Sequence, residues 1–309
     1  MIGRLAAGGL ATLLCVVATA THAADGPLTI CLDENLPPLS VHRSGKPDSG
    51  FDVALAQAIA DRLGRPLRIQ WFESKLDEDS SPALEANALL SDGRCALIGG
   101  YAFTSDALTV PGVQTAKLPD FEGATRDDRR RRVPLGVLAA SKPYVYSPLT
   151  VVLGPKVRDR KIAGVGDLAG LRIAIESGTV ADAILMTFDN GRLIDDITHL
   201  VPGRSDLLGA IDHGEFDATL LDLRRFDAYR ATHPGTELAA SGYYHPLGTN
   251  RGYVALAGEP ALLDEINKVL AELQAAGTLA QLGQAAGLTY LAPHEPAAGD
   301  DVWKKVLNR

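Results

Sequence analysis

Residues 167–188 read DLAGLRIAIESGTVADAILMTF, and this stretch decides the fold. Its apolar run Leu171–Ile175 has the length of a buried β-strand, and the chain then turns through Ser177-Gly178-Thr179 into an apolar-rich helical segment. The same alternation continues with a helix, a strand and a helix over 205–214, Ala218–Asp222 and 224–234. Strands that alternate with helices predict an α/β domain with a mostly parallel sheet, which begins near residue 150.

The N-terminal half of the chain shows the same alternation. Apolar residues recur at every fourth position from Phe51, a spacing typical of an amphipathic helix, and Gly64 ends the pattern. We predict strands at Leu28–Asp33, Leu67–Phe72 and Cys95–Gly100, and a further helix at Pro82–Leu90. The helical segment 259–277 has no strand after it, so we expect it to return and pack on the first domain.

These patterns predict an α/β fold of two lobes, each a doubly wound, mostly parallel sheet, joined by two crossing segments. We predict a first lobe at 24–148 and a second lobe at 149–252. The chain then returns to the first lobe at 253–290 and ends in a loosely held tail at 291–309. Ligands of such sheets lie at the carboxyl ends of the strands, so we expect a binding cleft between the lobes.

The segment 109–136 fits neither predicted lobe. It contains prolines, a glycine and the charged run Arg126–Arg132, which together predict an inserted surface loop. A contact for an acidic partner or an anionic surface is the alternative.

Composition excludes several classes of function. The 309 residues are 46% hydrophobic and 22% charged, which excludes a disordered chain. Lys and Arg number 30 against 38 Asp and Glu, so no basic excess exists for a phosphate backbone. We therefore expect a small-molecule ligand and no nucleic acid.

The first 23 residues have the pattern of a secretory signal peptide. Arg4 precedes the apolar run Leu5–Ala20, and Thr21-His22-Ala23 forms a small-x-small cleavage signal. The apolar run is short for a membrane-spanning helix. We therefore expect a soluble mature protein that is exported to the periplasm. We also expect it to be a monomer.

Five motifs stand in order along the chain. They are GFD at 50–52, SKPY at 141–144, DLAGLRIAIESGT at 167–179, GEFDA at 214–218 followed by Asp222, and the set Asn267, Leu270, Leu273 and Gly277. Together they resemble the motifs of the extracytoplasmic solute-binding proteins of family 3, the polar amino-acid type. The resemblance covers about residues 28–290, with the insertion excepted. It implies a two-lobed periplasmic-binding-protein fold of type II, whose lobes close by hinge motion on a solute and deliver it to the membrane subunits of an ABC importer.

On the second lobe, Ser177, Gly178 and Thr179 lie between a strand and a helix. Backbone N–H groups there favour an anion such as a carboxylate, and the alternative is that Thr179 is only a helix N-cap. The resemblance implies that Asp222 meets a ligand ammonium group. Alternatively, Asp222 caps the helix that starts at Arg224.

On the first lobe, the candidate binding residues are Asp33, Gly100, Tyr101, Thr104 and Tyr144. The first three lie at predicted strand ends, and small residues there allow close backbone approach. Thr104 falls where the family places a ligand-contacting threonine, and Tyr144 is expected to line the hinge. The alternative is that these residues serve only loop geometry.

The chain departs from the family at one position that matters for binding. Amino-acid binders have an arginine three positions after that threonine, where its guanidinium grips the ligand carboxylate. This chain has Ala107 there, and Arg251 is a candidate replacement.

Two cysteines, Cys31 and Cys95, follow the predicted leader. An even pair in an oxidising compartment predicts a disulfide, and two buried free thiols are the alternative. The pair resembles a divergent branch of the family that is associated with quinoprotein methanol dehydrogenases. That resemblance implies a cysteine in each of two neighbouring strands.

Three functions follow from these observations. The leading hypothesis is a non-enzymatic solute-binding protein for an ABC importer, without cofactor or metal. The second is an accessory protein of a periplasmic dehydrogenase that contains pyrroloquinoline quinone. The third is an enzyme like the cyclohexadienyl dehydratases, although the sequence has no nucleophile motif, metal-ligand cluster or phosphate loop, and of its scattered histidines only His245 is a candidate for testing.

Overall fold

A computed structural model describes residues 26–74, 81–104 and 108–295 of the chain. The predicted signal peptide at 1–23, Ala107 and the tail beyond residue 295 lie outside the described residues. None of the helices in the described ranges is long and apolar enough to cross a membrane.

The first lobe begins with a strand, and two helices alternate with the strands that follow. Its elements are β1 (Leu28–Asp33), β2 (Asn35–Leu36), β3 (Ser40–Val41), α1 (Phe51–Leu63), β4 (Leu67–Glu73), α2 (Pro82–Ser91), β5 (Leu97–Ala102), β6 (Thr115–Lys117), β7 (Asp120–Phe121), β8 (Arg132–Pro134) and β9 (Leu138–Ala140). Strand β10 (Val145–Leu153) then leads into the second lobe.

The second lobe repeats the alternation that residues 167–188 predict. Its elements are β11 (Ile173–Glu176), α3 (Val180–Thr187), β12 (Ile197–Leu200), α4 (Leu207–Asp212), β13 (Ala218–Asp222) and α5 (Leu223–Thr232). The long strand β14 (Ala239–Leu256) returns to the first lobe, where α6 (Pro260–Ala275) and α7 (Thr278–Ala285) follow.

The sheets of the two lobes are joined through β10 and β14. In the first lobe β1 pairs in parallel with β4 and β5, and in the second β11 pairs in parallel with β12 and β13. Strands β10 and β14 are antiparallel to each other, and they connect the two parallel groups in the order β12-β11-β13-β10-β14-β5-β1-β4-β7. The predicted α/β fold of two lobes with a mostly parallel sheet is confirmed.

Each lobe has its own apolar core. In the first lobe, α1 and α6 pack together on one face of the sheet, with Phe51, Ile59, Ile266 and Leu270 all buried. The helix after β14 therefore packs on α1 of the first lobe. The second lobe buries residues of its own strands and helices on each face of its sheet, among them Ile173, Leu185, Leu208 and Phe226.

The segment 109–136 departs from the expected surface loop. Strand β6 pairs with β8, and β7 pairs with β4 at the edge of the central sheet. Leu118, Phe121 and Val133 are buried against the first lobe. The expectation was wrong because it followed the charges and overlooked the apolar residues between them.

The arginine run is tied to the lobe as well. Arg94 Nη2 donates to Asp128 Oδ1 at 2.8 Å, and Arg131 Nη2 donates to Asp92 Oδ2 at 2.6 Å. Part of this positive charge is therefore paired within the first lobe.

The start of the predicted tail is held against the hinge strands and is not loose there. Tyr146 N–H donates to the Leu291 carbonyl at 3.0 Å, and the two rings of Tyr146 and His294 stack with centroids 4.0 Å apart. The Asn250 side chain donates to the His294 carbonyl at 2.7 Å and accepts from its N–H at 3.0 Å. Thr289 N–H also donates to Asp227 on α5 at 2.6 Å, so a third segment of chain links the lobes.

A disulfide joins Cys31 to Cys95, as the even cysteine pair predicts. The Cα atoms lie 5.6 Å apart, and the bond closes a loop across 64 positions of sequence. Cys31 lies on β1, which pairs with β5, and Cys95 lies just before β5. Both cysteines are buried.

We expect reduction of this disulfide to lower the free energy of unfolding by about 4 kcal/mol, because a cross-link over so long a loop restricts the unfolded chain. Urea unfolding with and without dithiothreitol measures the change. The double variant Cys31→Ala/Cys95→Ala is the control and should not respond to dithiothreitol. Equal stability of reduced and oxidised protein would contradict the prediction.

Candidate functional site

A cleft lies where the two lobes meet, at the carboxyl ends of the parallel strands. Most of the sequence-predicted residues lie at this edge of the sheets: Asp33 ends β1, Gly100 and Tyr101 lie in β5, Ser177-Gly178-Thr179 follow β11, and Asp222 ends β13. Two arginines make contacts across the cleft. Arg224 Nη1 donates to the Pro37 carbonyl at 2.6 Å, and Arg251 Nη2 lies 3.7 Å from Asp222 Oδ2.

The second lobe contributes a small cavity to the cleft. Its volume is about 140 Å³, and its polar lining consists of Glu176, Thr179, Asp222 and Arg225. Arg225 forms a two-point ion pair with Glu176, in which Nη1 contacts Oε2 and Nη2 donates to Oε1 at 2.9 Å. This hydrogen-bonded carboxylate raises the pKa of Arg225. The structure thus brings Thr179 and Asp222 together, beside a charge pair that sequence reasoning missed.

The turn at 177–179 already holds a carboxylate of the chain itself. Gly178 N–H donates to Asp182 Oδ2 at 2.8 Å, and Ser177 N–H donates to the Leu200 carbonyl at 3.0 Å. Thr179 Oγ1 accepts from Asp182 N–H at 3.1 Å and is the N-cap of α3. Because an acidic side chain in the first turn of a helix is favoured by its dipole, Asp182 occupies the position that the sequence assigned to a ligand anion. A ligand carboxylate has to displace it.

Asp222 caps a helix and also faces the cleft. Its Oδ1 accepts from Arg224 N–H at 2.9 Å as the N-cap of α5. Arg251, the candidate replacement arginine, does lie in the cleft, where it also donates to the Gly100 carbonyl at 2.8 Å and to Ser147 Oγ at 3.3 Å. Three protein groups therefore hold the Arg251 guanidinium.

Tyr144, a candidate binding residue that was expected to line the hinge, does not line the cleft. Its side chain is 0% exposed. The Tyr144 hydroxyl donates to Asp52 Oδ1 at 2.8 Å, and the hydroxyl oxygen accepts from Gly100 N–H at 2.6 Å. Gly100 has φ +67°, and a Cβ there would lie 2.7 Å from Asp52 Oδ2. Asp52, Tyr144 and Gly100 therefore form a buried network that positions the carbonyl to which Arg251 binds.

The other first-lobe candidates differ in exposure. Asp33 is half-buried, and burial raises its pKa although Asn35 N–H donates to Oδ1 at 2.8 Å. Tyr101 is buried, whereas Thr104 is half-buried and precedes residues 105–107, which lie outside the described residues. Of these three residues, Asp33 is the charged one, and the positive charge of Arg224 opposes the rise in its pKa.

A larger cavity adjoins this site and is lined from both lobes. Its volume is about 440 Å³. Asn35 and Pro37 line it from the first lobe, and Ser205, Asp206, Arg224, Arg225, Tyr229 and Thr232 are among its second-lobe residues. His245 lies elsewhere, beside a cavity of about 540 Å³ that is formed by second-lobe and hinge-strand residues.

Sequence reasoning also missed the role of Arg224. Burial lowers the pKa of Arg224, and the positive charges of Arg251 and Arg225 add to this, while Asp222 and Asp33 oppose it. The sequence did contain a signal for this role, namely Arg224 and Arg225 at the start of a helix, where the helix dipole disfavours cations. In the described part of the chain, no group of three or more His, Cys, Asp or Glu side chains is placed to hold a metal ion.

No protein-family model and no curated protein matches the chain. Several solved structures are similar to it. Substrate-binding domain 2 of Lactococcus lactis GlnP, in an open conformation, is 20% identical with a TM-score of 0.60, over 86% of this chain and 97% of that domain. The unliganded, open L-cystine solute receptor of Neisseria gonorrhoeae is 18% identical with a TM-score of 0.58, over 88% and 97%.

An enzyme is also among the similar structures. An ancestral cyclohexadienyl dehydratase is 18% identical with a TM-score of 0.51, over 85% of this chain and 93% of that one. At these identities the comparisons define the fold, which is the two-lobed periplasmic-binding-protein fold.

The stability of the first lobe should depend on the protonation of Asp52. Burial raises its pKa to about 6, opposed by the hydrogen bond from Tyr144 and by the charges of Arg251 and Arg224. The pKa of an aspartate in the unfolded chain is about 3.9. The stabilisation by protonated Asp52 is therefore complete below about pH 4 and is lost as the pH rises through 6, a loss of about 3 kcal/mol.

Urea unfolding of the wild type and of Asp52→Asn between pH 4 and pH 7 tests this expectation. The wild type should lose stability relative to the variant over that range, since the other carboxyl groups titrate equally in both proteins. Parallel pH profiles would refute it.

Proposed function

We propose that the protein is an extracytoplasmic solute-binding protein that captures a small polar or carboxylate-bearing, amino-acid-like solute and delivers it to an ABC importer. The observation that carries this proposal is the pair of separately packed lobes, joined by β10 and β14, with charged side chains facing across the cleft between them. Solute receptors of this fold among the similar structures support it.

Binding would proceed by closure of the lobes. The contacts that cross the cleft, from Arg224 to the Pro37 carbonyl and from Arg251 to Asp222, are few and polar. A solute that contacts both lobes adds interactions only in the closed arrangement, so it shifts the equilibrium toward closure. Asp222 is the acid that would meet an ammonium group of the solute, and Ser177, Gly178, Thr179, Asp33, Gly100, Tyr101 and Thr104 remain proposed neighbours of the ligand.

A periplasmic location is part of the proposal. The predicted signal peptide at 1–23 supports export. The Cys31–Cys95 disulfide suits an oxidising compartment such as the periplasm. The partners would be the membrane subunits of the importer, with the binding protein acting as a monomer.

A thermal-shift screen against small polar metabolites, the amino acids first, tests the function. A cognate solute at 100 times its dissociation constant should stabilise the protein by about 2.7 kcal/mol. Failure of every polar solute to raise the melting temperature would contradict the proposal.

Two matched variants locate the binding. Asp222→Asn keeps a side chain that caps α5 but removes the charge from the cleft, so it should weaken solutes that carry an ammonium group by about tenfold or more. Asp167→Asn is the control, because Asp167 accepts from Ala163 N–H at 2.7 Å in an exposed second-lobe turn. Equal losses in both variants would remove Asp222 from the site.

Two other functions have specific support. The ancestral dehydratase shares the fold, so measuring prephenate loss with the purified protein separates catalysis from binding. The disulfide also fits an accessory protein of a quinoprotein dehydrogenase, for which co-purification with the dehydrogenase is the discriminating measurement.

A further inference from the structure

Three arginines lie at the cleft, and they differ in how many protein groups hold them. Arg225 is fixed by the two-point ion pair with Glu176, and Arg251 contacts three groups. Arg224 makes one inter-lobe hydrogen bond, from Nη1 to the Pro37 carbonyl. Its Nε is buried and has no hydrogen-bond partner in the described part of the chain.

The environment of Arg224 favours an incoming anion. A buried guanidinium nitrogen without an acceptor loses its hydration without compensation. Burial is the main cause of the lowered pKa of Arg224, the charge of Asp222 opposes it, and the charges of Arg251 and Arg225 add to it. A negatively charged ligand group would supply the missing acceptor.

The space beside Arg224 suits a small solute. The cavity of about 440 Å³ lies within the size range of small-molecule sites. Neutral polar side chains, Asn35, Ser205 and Thr232, line it together with Arg224. Asp206 is the acid in this lining, and its Oδ1 already accepts from Gly209 N–H at 3.0 Å.

We propose that Arg224 binds the carboxylate of the solute through the edge of its guanidinium that carries Nε, in place of the arginine that position 107 lacks. Two parallel N–H donors of that edge match two carboxylate oxygens. Nη1 keeps its hydrogen bond to Pro37 of the first lobe, so the same side chain links ligand binding on the second lobe to contact between the lobes. The inference rests on the proposed function.

Calorimetry with the L-amino acids and with their α-carboxamides as probes tests the inference. An amide resembles the acid in shape but has no negative charge. For the amino acid that binds most tightly, the wild type should bind the acid at least about tenfold more tightly than the corresponding amide. Arg224→Gln should weaken the acid by about 10- to 100-fold and abolish the preference for it.

Two further variants complete the design. Arg224→Lys keeps the charge without the two-point geometry, so its loss of affinity for the acid should be intermediate. Arg230→Gln is the control, because it removes the same charge from the same helix at an exposed position, 51% accessible, that pairs with Asp227. Its affinities should equal those of the wild type, and circular dichroism should show that all variants are folded.

The possible failures point to different conclusions. If the wild type binds no probe, this inference falls, and the proposed function falls with it when no polar solute of the thermal-shift screen binds either. If the wild type binds an amino acid and Arg224→Gln binds it equally well, the function stands and the assignment of Arg224 is wrong. If Arg224→Gln does not fold, Arg224→Lys decides, and unchanged affinity and acid preference in that variant would overturn the assignment.

Discussion

The antiparallel pairing of β10 with β14 is the constraint on which the rest of the structure depends. Residues at one end of this pair, such as Val145 and Arg251, are bonded within the first lobe, and those at the other end, such as Leu153 and Ala239, lie in the second. Two packed cores are thereby attached to one continuous ribbon of hydrogen bonds. The cleft exists because the cores stop on either side of that ribbon. Gly252 in β14 shows how closely it is packed, since a Cβ there would lie 2.2 Å from the Phe103 ring.

Charge is distributed around the cleft so that buried ionic groups support one another. Asp52 and Tyr144, inside the first lobe, hold Gly100, whose carbonyl accepts from Arg251. Arg251 in turn reaches Asp222 of the second lobe. The motif aspartate at position 52 is therefore a support of the cleft and not one of its walls. This arrangement gives the fully buried carboxyl group of Asp52 its hydrogen-bond partner inside the first lobe.

Much of the fold could be predicted from the sequence, because helix periodicity and strand runs are local signals. The alternation around residues 167–188 and the return of α6 depend on patterns of a few residues each. Burial of the segment 109–136 was not predictable in this way, because its apolar residues are separated by charges and its strand β7 pairs with β4, which is distant in sequence. Within the site, Tyr144 was misplaced for the same reason, since its partner Asp52 is 92 positions away. Asp182, by contrast, lies only four positions from Gly178, so a local pattern could have predicted its hydrogen bond to the turn.

The third link between the lobes restricts how they can move. Residues 289–295 are bonded to Asp227 on one side and to Tyr146 and Asn250 on the other, apart from the main connection of the paired strands. Two adjacent strands alone tolerate both bending and torsion. A third segment that is bonded to α5 and to both strands adds a restraint on torsion of the pair, so we expect the relative motion of the lobes to have essentially one degree of freedom. A joint of that kind brings the same faces together each time it shuts.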